Sequence, residues 1–136
     1  MSTTLVVGLG CRRGCSASLL RELIDRSLQA HGVAIDEITA LASIDQKSAE
    51  PGLLALAAQL DLPLVCFSAA ELAEVEALLS HRSAVTFAHT GCQGVAESAA
   101  LVLAQRMAGR PAKLLIRRQK SQQATFALAG DAPNHP

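Results

Sequence analysis

Arg12 and Arg13 stand in a glycine-punctuated stretch, Leu5-Val-Val-Gly-Leu-Gly-Cys-Arg-Arg-Gly-Cys-Ser16, where an apolar run passes into a helical pattern. Two forked guanidinium groups at such a junction suit a carboxylate or a phosphate. The free N–H groups and dipole of the following helix favour negative charge as well. Gly8 and Gly10 read as turn residues that let the backbone approach a ligand closely. The glycines at 8, 10 and 14 make a G-x-G-x-x-x-G spacing, one residue longer than the dinucleotide fingerprint, whose third glycine would stand at Arg13. A standard dinucleotide site is therefore disfavoured, although Asp45, which follows the second predicted strand, keeps a nucleotide reading open. The plainer alternative is a tight strand-to-helix turn with solvated arginines.

A second group of polar residues lies in Ser43-Ile-Asp-Gln-Lys-Ser-Ala-Glu50, just before Pro51, a favoured first helical residue. Ser43, Asp45, Lys47 and Glu50 are its candidates for ligand contact. Of the four cysteines, Cys11 sits beside the arginines at a helix start, where a thiol gains a lowered pKa and some nucleophilicity. No oriented base accompanies it. Cys66 reads as a small buried hydrophobe. Cys11 and Cys15 are four apart and Cys92 lies near His89, but the paired C-x-x-C spacing of zinc sites is missing, so neither a metal nor a resident cofactor is assigned. Glu97, one turn into a helix behind Gly94, is either a favourable partner of the helix dipole or a site residue. His31 and His81 read as structural groups at helix ends, and His89 is loop-borne without a role.

Composition narrows the classes. The chain has 136 residues, half of them hydrophobic, with no Trp or Tyr and with Phe67, Phe87 and Phe126 as its aromatics. The expectation is one domain over residues 1–130 with a flexible tail at 131–136. So few aromatic platforms argue against single-stranded nucleic acid as a partner. A formal net charge of zero gives no global field toward nucleic acid or membrane. Locally, Arg106, Arg110, Lys113, Arg117, Arg118 and Lys120 form a basic segment without an acidic residue. It reads either as a surface for an acidic ligand or as a charged edge strand. No apolar run of about 18 residues and no leader pattern is present, so a cytoplasmic protein with reduced cysteines is expected.

Elements must position these groups. Residues 3–8 read as a central strand, and Leu19, Leu20, Leu23, Ile24 and Leu28 as the apolar face of a helix that ends at Gly32. Residues 38–43 form a second strand, 53–60 a second helix and 63–67 a third strand. Ser68-Ala-Ala-Glu71 is a capping box opening a helix through Leu79. Residues 81–94 are ambiguous, with Val85-Thr-Phe87 as a short strand candidate. A helix over 94–107 precedes strands at 113–117 and 124–128. The pattern predicts an α/β protein, a three-layer α/β/α sandwich with a mixed, mostly parallel sheet and an antiparallel C-terminal strand pair. Ligands in such folds bind beyond the carboxyl ends of the strands.

With those loops placed, the chain resembles the cobalamin biosynthesis family containing CobE and the C-terminal domain of CbiG. The resemblance is carried by Val7-Gly-Leu-Gly-Cys-Arg-Arg-Gly14, by Ala42-Ser-Ile-Asp-Gln-Lys-Ser-Ala-Glu-Pro-Gly-Leu53, by Gly91-Cys-Gln-Gly-Val-Ala-Glu-Ser-Ala-Ala-Leu101 and by Ala124-Thr-Phe-Ala-Leu-Ala129. It implies a layered α/β/α domain acting in corrin ring assembly and a polycarboxylate corrin intermediate as ligand. Gly10, Cys11, Arg12, Arg13, Gly14, Ser43, Asp45, Lys47, Glu50, Gly91 and Glu97 would then bind it. Arg12, Arg13 and Lys47 are its direct carboxylate partners, while Asp45 and Glu50 orient those cations or act as acid/base groups. The fused hydrolase of the family opens a precorrin lactone, which is the enzyme alternative. Docking on other cobalamin biosynthesis enzymes is the third reading. Neither nucleic acid nor membrane is an expected partner.

Overall fold

Leu5–Cys11 forms the central strand β1, and its alternation divides the molecule into two faces. Leu5, Val7 and Leu9 join one apolar cluster and Val6 the opposite one, as successive side chains of a strand must. The computed structural model describes residues 4–79 and 94–131. The other elements are α1 (Ala17–Ala30), β2 (Ala40–Ile44), α2 (Pro51–Leu60), β3 (Leu64–Phe67), α3 (Ala69–Ala73), α4 (Val95–Ala108), β4 (Ala112–Lys120) and β5 (Ala124–Asp131). The predicted strand over 85–87 lies outside the described residues.

The sheet order is β3-β2-β1-β5-β4. β1 pairs with β2, and β2 with β3, in parallel; β5 runs antiparallel to both β1 and β4. Four strands therefore share one direction and β5 alone reverses, which makes the sheet mixed with the antiparallel C-terminal pair that a short link requires. On one face α1 and α2 bury Leu20, Leu23, Ile24, Leu28, Leu53 and Leu56 against Val7, Leu41 and Phe126. On the other, α4 and α3 cover Val6, Ala42 and Ala129. The result is the three-layer α/β/α arrangement.

Several local expectations are corrected. Gly8 and Gly10 are strand residues, not turn residues, because β1 continues to Cys11. A side chain at Gly8 would run into the backbone carbonyl of Ala96 and come within 2.9 Å of the Ala100 Cβ. Gly8 thus lets α4 settle onto the sheet through its small residues Ala96 and Ala100. Leu19 is 40% exposed, since the cap at Ser16 phases α1 so that Leu20, Leu23, Ile24, Ser27 and Leu28 form the buried stripe. The capping box at Ser68 and Glu71 is present, but α3 yields after Ala73 to a tight turn at Glu76–Leu78 that buries Val75. β5 continues through Gly130 and Asp131, into the stretch expected to fray.

Replacing Gly8 tests this packing. Gly8→Ala should destabilise the fold by about 3 kcal/mol, the upper range for overpacking, because the obstruction is backbone and cannot rotate away. Urea unfolding of the variant and the parent chain checks it; equal midpoints would show that α4 does not depend on the close approach.

Candidate functional site

β1 ends at Cys11, and the chain turns through Arg12, Arg13 and Gly14 before Ser16 caps α1. Gly14 takes a φ of +81°, so it is the residue of this stretch whose backbone requires glycine. The turn is tied down on two sides. The Arg12 N–H donates to the Gln123 carbonyl at 2.8 Å, joining it to the β4–β5 turn. The Gly14 N–H donates to Glu50 Oε1 at 2.7 Å. Glu50 occupies the cap position of α2 without capping it, its carboxylate reaching instead to the arginine turn. Glu50 is thus a brace.

Gly52 makes that brace possible. A side chain there would meet the Cys15 carbonyl, so the head of α2 lies directly against the start of α1. Gly52 was legible only as part of a Pro-Gly helix start. A glycine inside a helix costs roughly 1 kcal/mol against alanine, and that cost is the signal of a close approach. With the turn held, the Arg12 and Arg13 side chains are exposed and enter no ion pair among the described residues.

The second strand delivers its residues to the same edge at different depths. Ser43 is 0% exposed and its hydroxyl donates to the Leu9 carbonyl at 2.7 Å, so it joins β2 to β1 beneath the surface. Asp45 and Lys47 belong to a tight turn after β2, Asp45 exposed and Lys47 half-buried. Cys66 pairs in register with Ser43. The thiols lack activated character, against the expectation for Cys11. Burial pushes Cys11 up to about 11, with the nearby Lys47 charge only partly opposing it and Cys15 and Glu50 adding to it. Cys15 is raised by burial and by Glu50, and Cys66 by burial and by Asp45. The neighbouring arginines do not help because their charges point to solvent, whereas the Cys11 sulfur is partly withdrawn from water.

Glu97 is 1% exposed in the first turn of α4, and its Oε2 accepts from the Arg118 N–H at 2.9 Å. The head of α4 lies over the β1 end: a side chain at Gly10 would meet Thr125 Oγ1 at 2.7 Å and the Val95 Cβ at 3.6 Å. Gly91, Cys92, His81 and His89 lie outside the described residues. Among the described residues no cluster of three His, Cys, Asp or Glu could hold a metal ion, and no helix is long and apolar enough to cross a membrane. The edge therefore assembles exposed cations at the β1 end, Lys47 and Asp45 beside them, and a braced backbone underneath. Such a surface can bind an anionic rim.

Two measurements separate these roles. Ser43→Ala should cost about 1–2 kcal/mol of stability, as for a lost buried hydrogen bond, because it leaves the Leu9 carbonyl short of a donor; a melting curve unchanged from the parent would contradict that assignment. Cys11 should react with iodoacetamide more slowly than free cysteine at pH 8. Its rate should climb as the pH passes through the thiol's raised value near 11. Rapid labelling at pH 7 would show an activated thiol instead.

Residues 5–129 match the family described as "Cobalamin synthesis G C-terminus". Protein CobE of Sinorhizobium sp is 42% identical over 128 residues, which span 94% of this chain and 80% of that protein. A cobalt-precorrin-5A hydrolase of Priestia megaterium is 33% identical over 98 residues, spanning 72% of this chain but 26% of the hydrolase. Among solved structures, that of CobE, a protein from the cobalamin (vitamin B12) biosynthetic pathway, superposes with a TM-score of 0.95 at 44% identity, covering 99% of this chain and 95% of the other. The chain belongs to the cobalamin synthesis G C-terminus family, the CobE and CbiG C-terminal family of cobalamin biosynthesis proteins.

Proposed function

We propose that the protein binds a carboxylate-rich corrin-ring intermediate of cobalamin biosynthesis at the edge formed by the β1 turn and the β2 loop. The observation that carries this reading is the pair of exposed guanidinium groups, without an ion pair among the described residues, on a turn held by the Glu50 carboxylate and the Gln123 carbonyl. A cation held on a fixed backbone loses less freedom on binding than one on a loose loop. Guanidinium groups match carboxylates in a forked geometry. Lys47 adds a third cation, and Glu50 turns its carboxylate to the Gly14 N–H. Gly10 and Cys11 carry the strand up to the turn, Gly14 shapes the turn itself, and Ser43 and Glu97 support it from below. Asp45 orients neighbouring donors. The raised thiol of Cys11 speaks for a binding surface over a thiol nucleophile.

Membership of this family supports a ligand from that pathway, since the structure of the CobE relative is described as that of a protein from the cobalamin biosynthetic pathway. Arg12→Ala should weaken binding of a polycarboxylate corrin by about 1.5–3 kcal/mol, the scale of a charge-assisted hydrogen bond, with fold stability nearly unchanged. Arg12→Lys should recover only part of the affinity, and added salt should weaken the parent chain. Calorimetric titration measures all three; equal affinities for parent and Arg12→Ala at low salt would sink the assignment. Turnover of a lactone-bearing precorrin by this chain alone, lost in Asp45→Asn, would replace binding with catalysis.

A further inference from the structure

The hydrogen bond from the Arg118 N–H to Glu97 belongs to an irregularity in β4. Ile116 pairs with Leu128 and Gln119 with Phe126, so three steps along β4 oppose two along β5. A bulge of this kind leaves a backbone donor without its ladder partner, and such a donor must find an acceptor elsewhere. The acceptor here is a carboxylate from a different element, buried at 1% exposure. Burying a carboxylate is expensive unless its hydrogen bonds repay it. Strand geometry alone does not call for one at this point.

The bulge sits where β4 reaches the candidate site. Because β4 runs in the direction of β1, Arg117, Arg118 and Lys120 arrive at the same sheet edge as Arg12 and Arg13. Lys120 pairs with Thr125, and Thr125 with Gly10. Two strand spacings therefore separate Lys120 from the β1 end, roughly 10 Å. Charge pairing along the basic segment is uneven. Arg106 meets Glu71 at 2.9 Å and Arg110 meets Asp131 at 3.4 Å, whereas among the described residues Arg117, Arg118 and Lys120 enter no ion pair. Lys113, at the far end of β4, is explained by protection of an exposed edge strand. That role needs no buried carboxylate behind it.

We propose that Glu97 is a positioning residue whose hold on the β4 bulge presents Arg118, with Lys120 beside it, as a second cationic wall for ligand carboxylates, across the edge from Arg12 and Arg13. This rests on the reading that the edge binds a polycarboxylate ring. A ring with acidic groups around its rim is gripped best from two separated places, and the β1 turn supplies only one of them. The second wall favours ligands that carry carboxylates on both sides over those that carry a single acidic group.

The test is calorimetric titration of the full chain with cobyrinic acid, whose rim groups are free carboxylates, and with cobinamide, whose rim groups are carboxamides. Arg118→Ala and Lys120→Ala should each weaken cobyrinic acid binding about tenfold, the lower range for a charge-assisted contact. Glu97→Ala should weaken it to the same extent, and the double variant with Arg118→Ala should lose less than about twofold more, as expected for residues acting as one unit. Glu97→Gln keeps an acceptor for the Arg118 N–H and should stay within about threefold of the parent chain. Should Glu97→Ala fail to fold, Glu97→Asp, whose shorter side chain withdraws the acceptor, takes its place in the cycle. Unchanged affinity in Arg118→Ala and Lys120→Ala, with Arg12→Ala still weakened, overturns the second wall and leaves the first site standing. Fully additive losses at Glu97 and Arg118 overturn the positioning role. Failure of the parent chain to bind cobyrinic acid, or equal binding of cobinamide, overturns the underlying reading and this proposal with it.

Discussion

The close approach of α4 to β1 over Gly8 is the constraint on which the candidate site depends. With hydrogen in place of a side chain, the sheet accepts the Ala96 carbonyl and the Ala100 methyl at distances that no other residue allows. The helix that settles there is buried from Val95 to Ala104 and packs against all five strands. Its first turn then lies over the β1 end beside Gly10 and Thr125, and Glu97 comes within reach of β4. A wider helix-to-sheet spacing would leave the β4 bulge without its acceptor.

On the opposite face the analogous device is Gly52, which brings α2 against the start of α1. Two small residues thus draw two helix heads toward one strand end, from the two sides of the sheet. Between them the Gly14 N–H and the Glu50 carboxylate close the turn. Charge follows the same plan. Carboxylates near the cations are turned to backbone donors, Glu50 to Gly14 and Glu97 to Arg118, so they stabilise the frame without cancelling Arg12, Arg13 or Arg118. Around Arg106 the pattern is reversed: Arg106 is matched by Glu71 and Glu74 and stacks over Phe67 at 5.0 Å from the ring centre. There the cation is structural.

Much of this order was legible in the chain. Apolar runs of strand length separated by helical stripes demand a sheet covered on both faces, and a link between the last two strands too short for a crossover helix demands an antiparallel pair. Arg12, Arg13, Asp45, Lys47 and Glu50 had to fall at the carboxyl edge once β1 and β2 were parallel. The Ser68 capping box and the Gly32 and Gly109 helix ends are local chemistry, and local chemistry is readable without a fold.

What the sequence determined by itself, then, was the alternation of elements, the edge at which polar residues gather and the family to which its motifs point. Tertiary structure alone decided the use of each glycine, the depth of each polar side chain and the charge environment of each thiol. Gly8 and Gly14 look alike in sequence, yet one admits a helix and the other takes a left-handed backbone, because a residue's need for glycine is set by what packs on it or by its φ. Ser43 and Asp45 are two positions apart, but a strand's buried end and the turn that follows it separate them into core and surface. Cys11 adjoins two arginines in the chain, but desolvation in the folded state outweighs their proximity, and a thiol's acidity answers to its surroundings in space rather than to its neighbours in sequence.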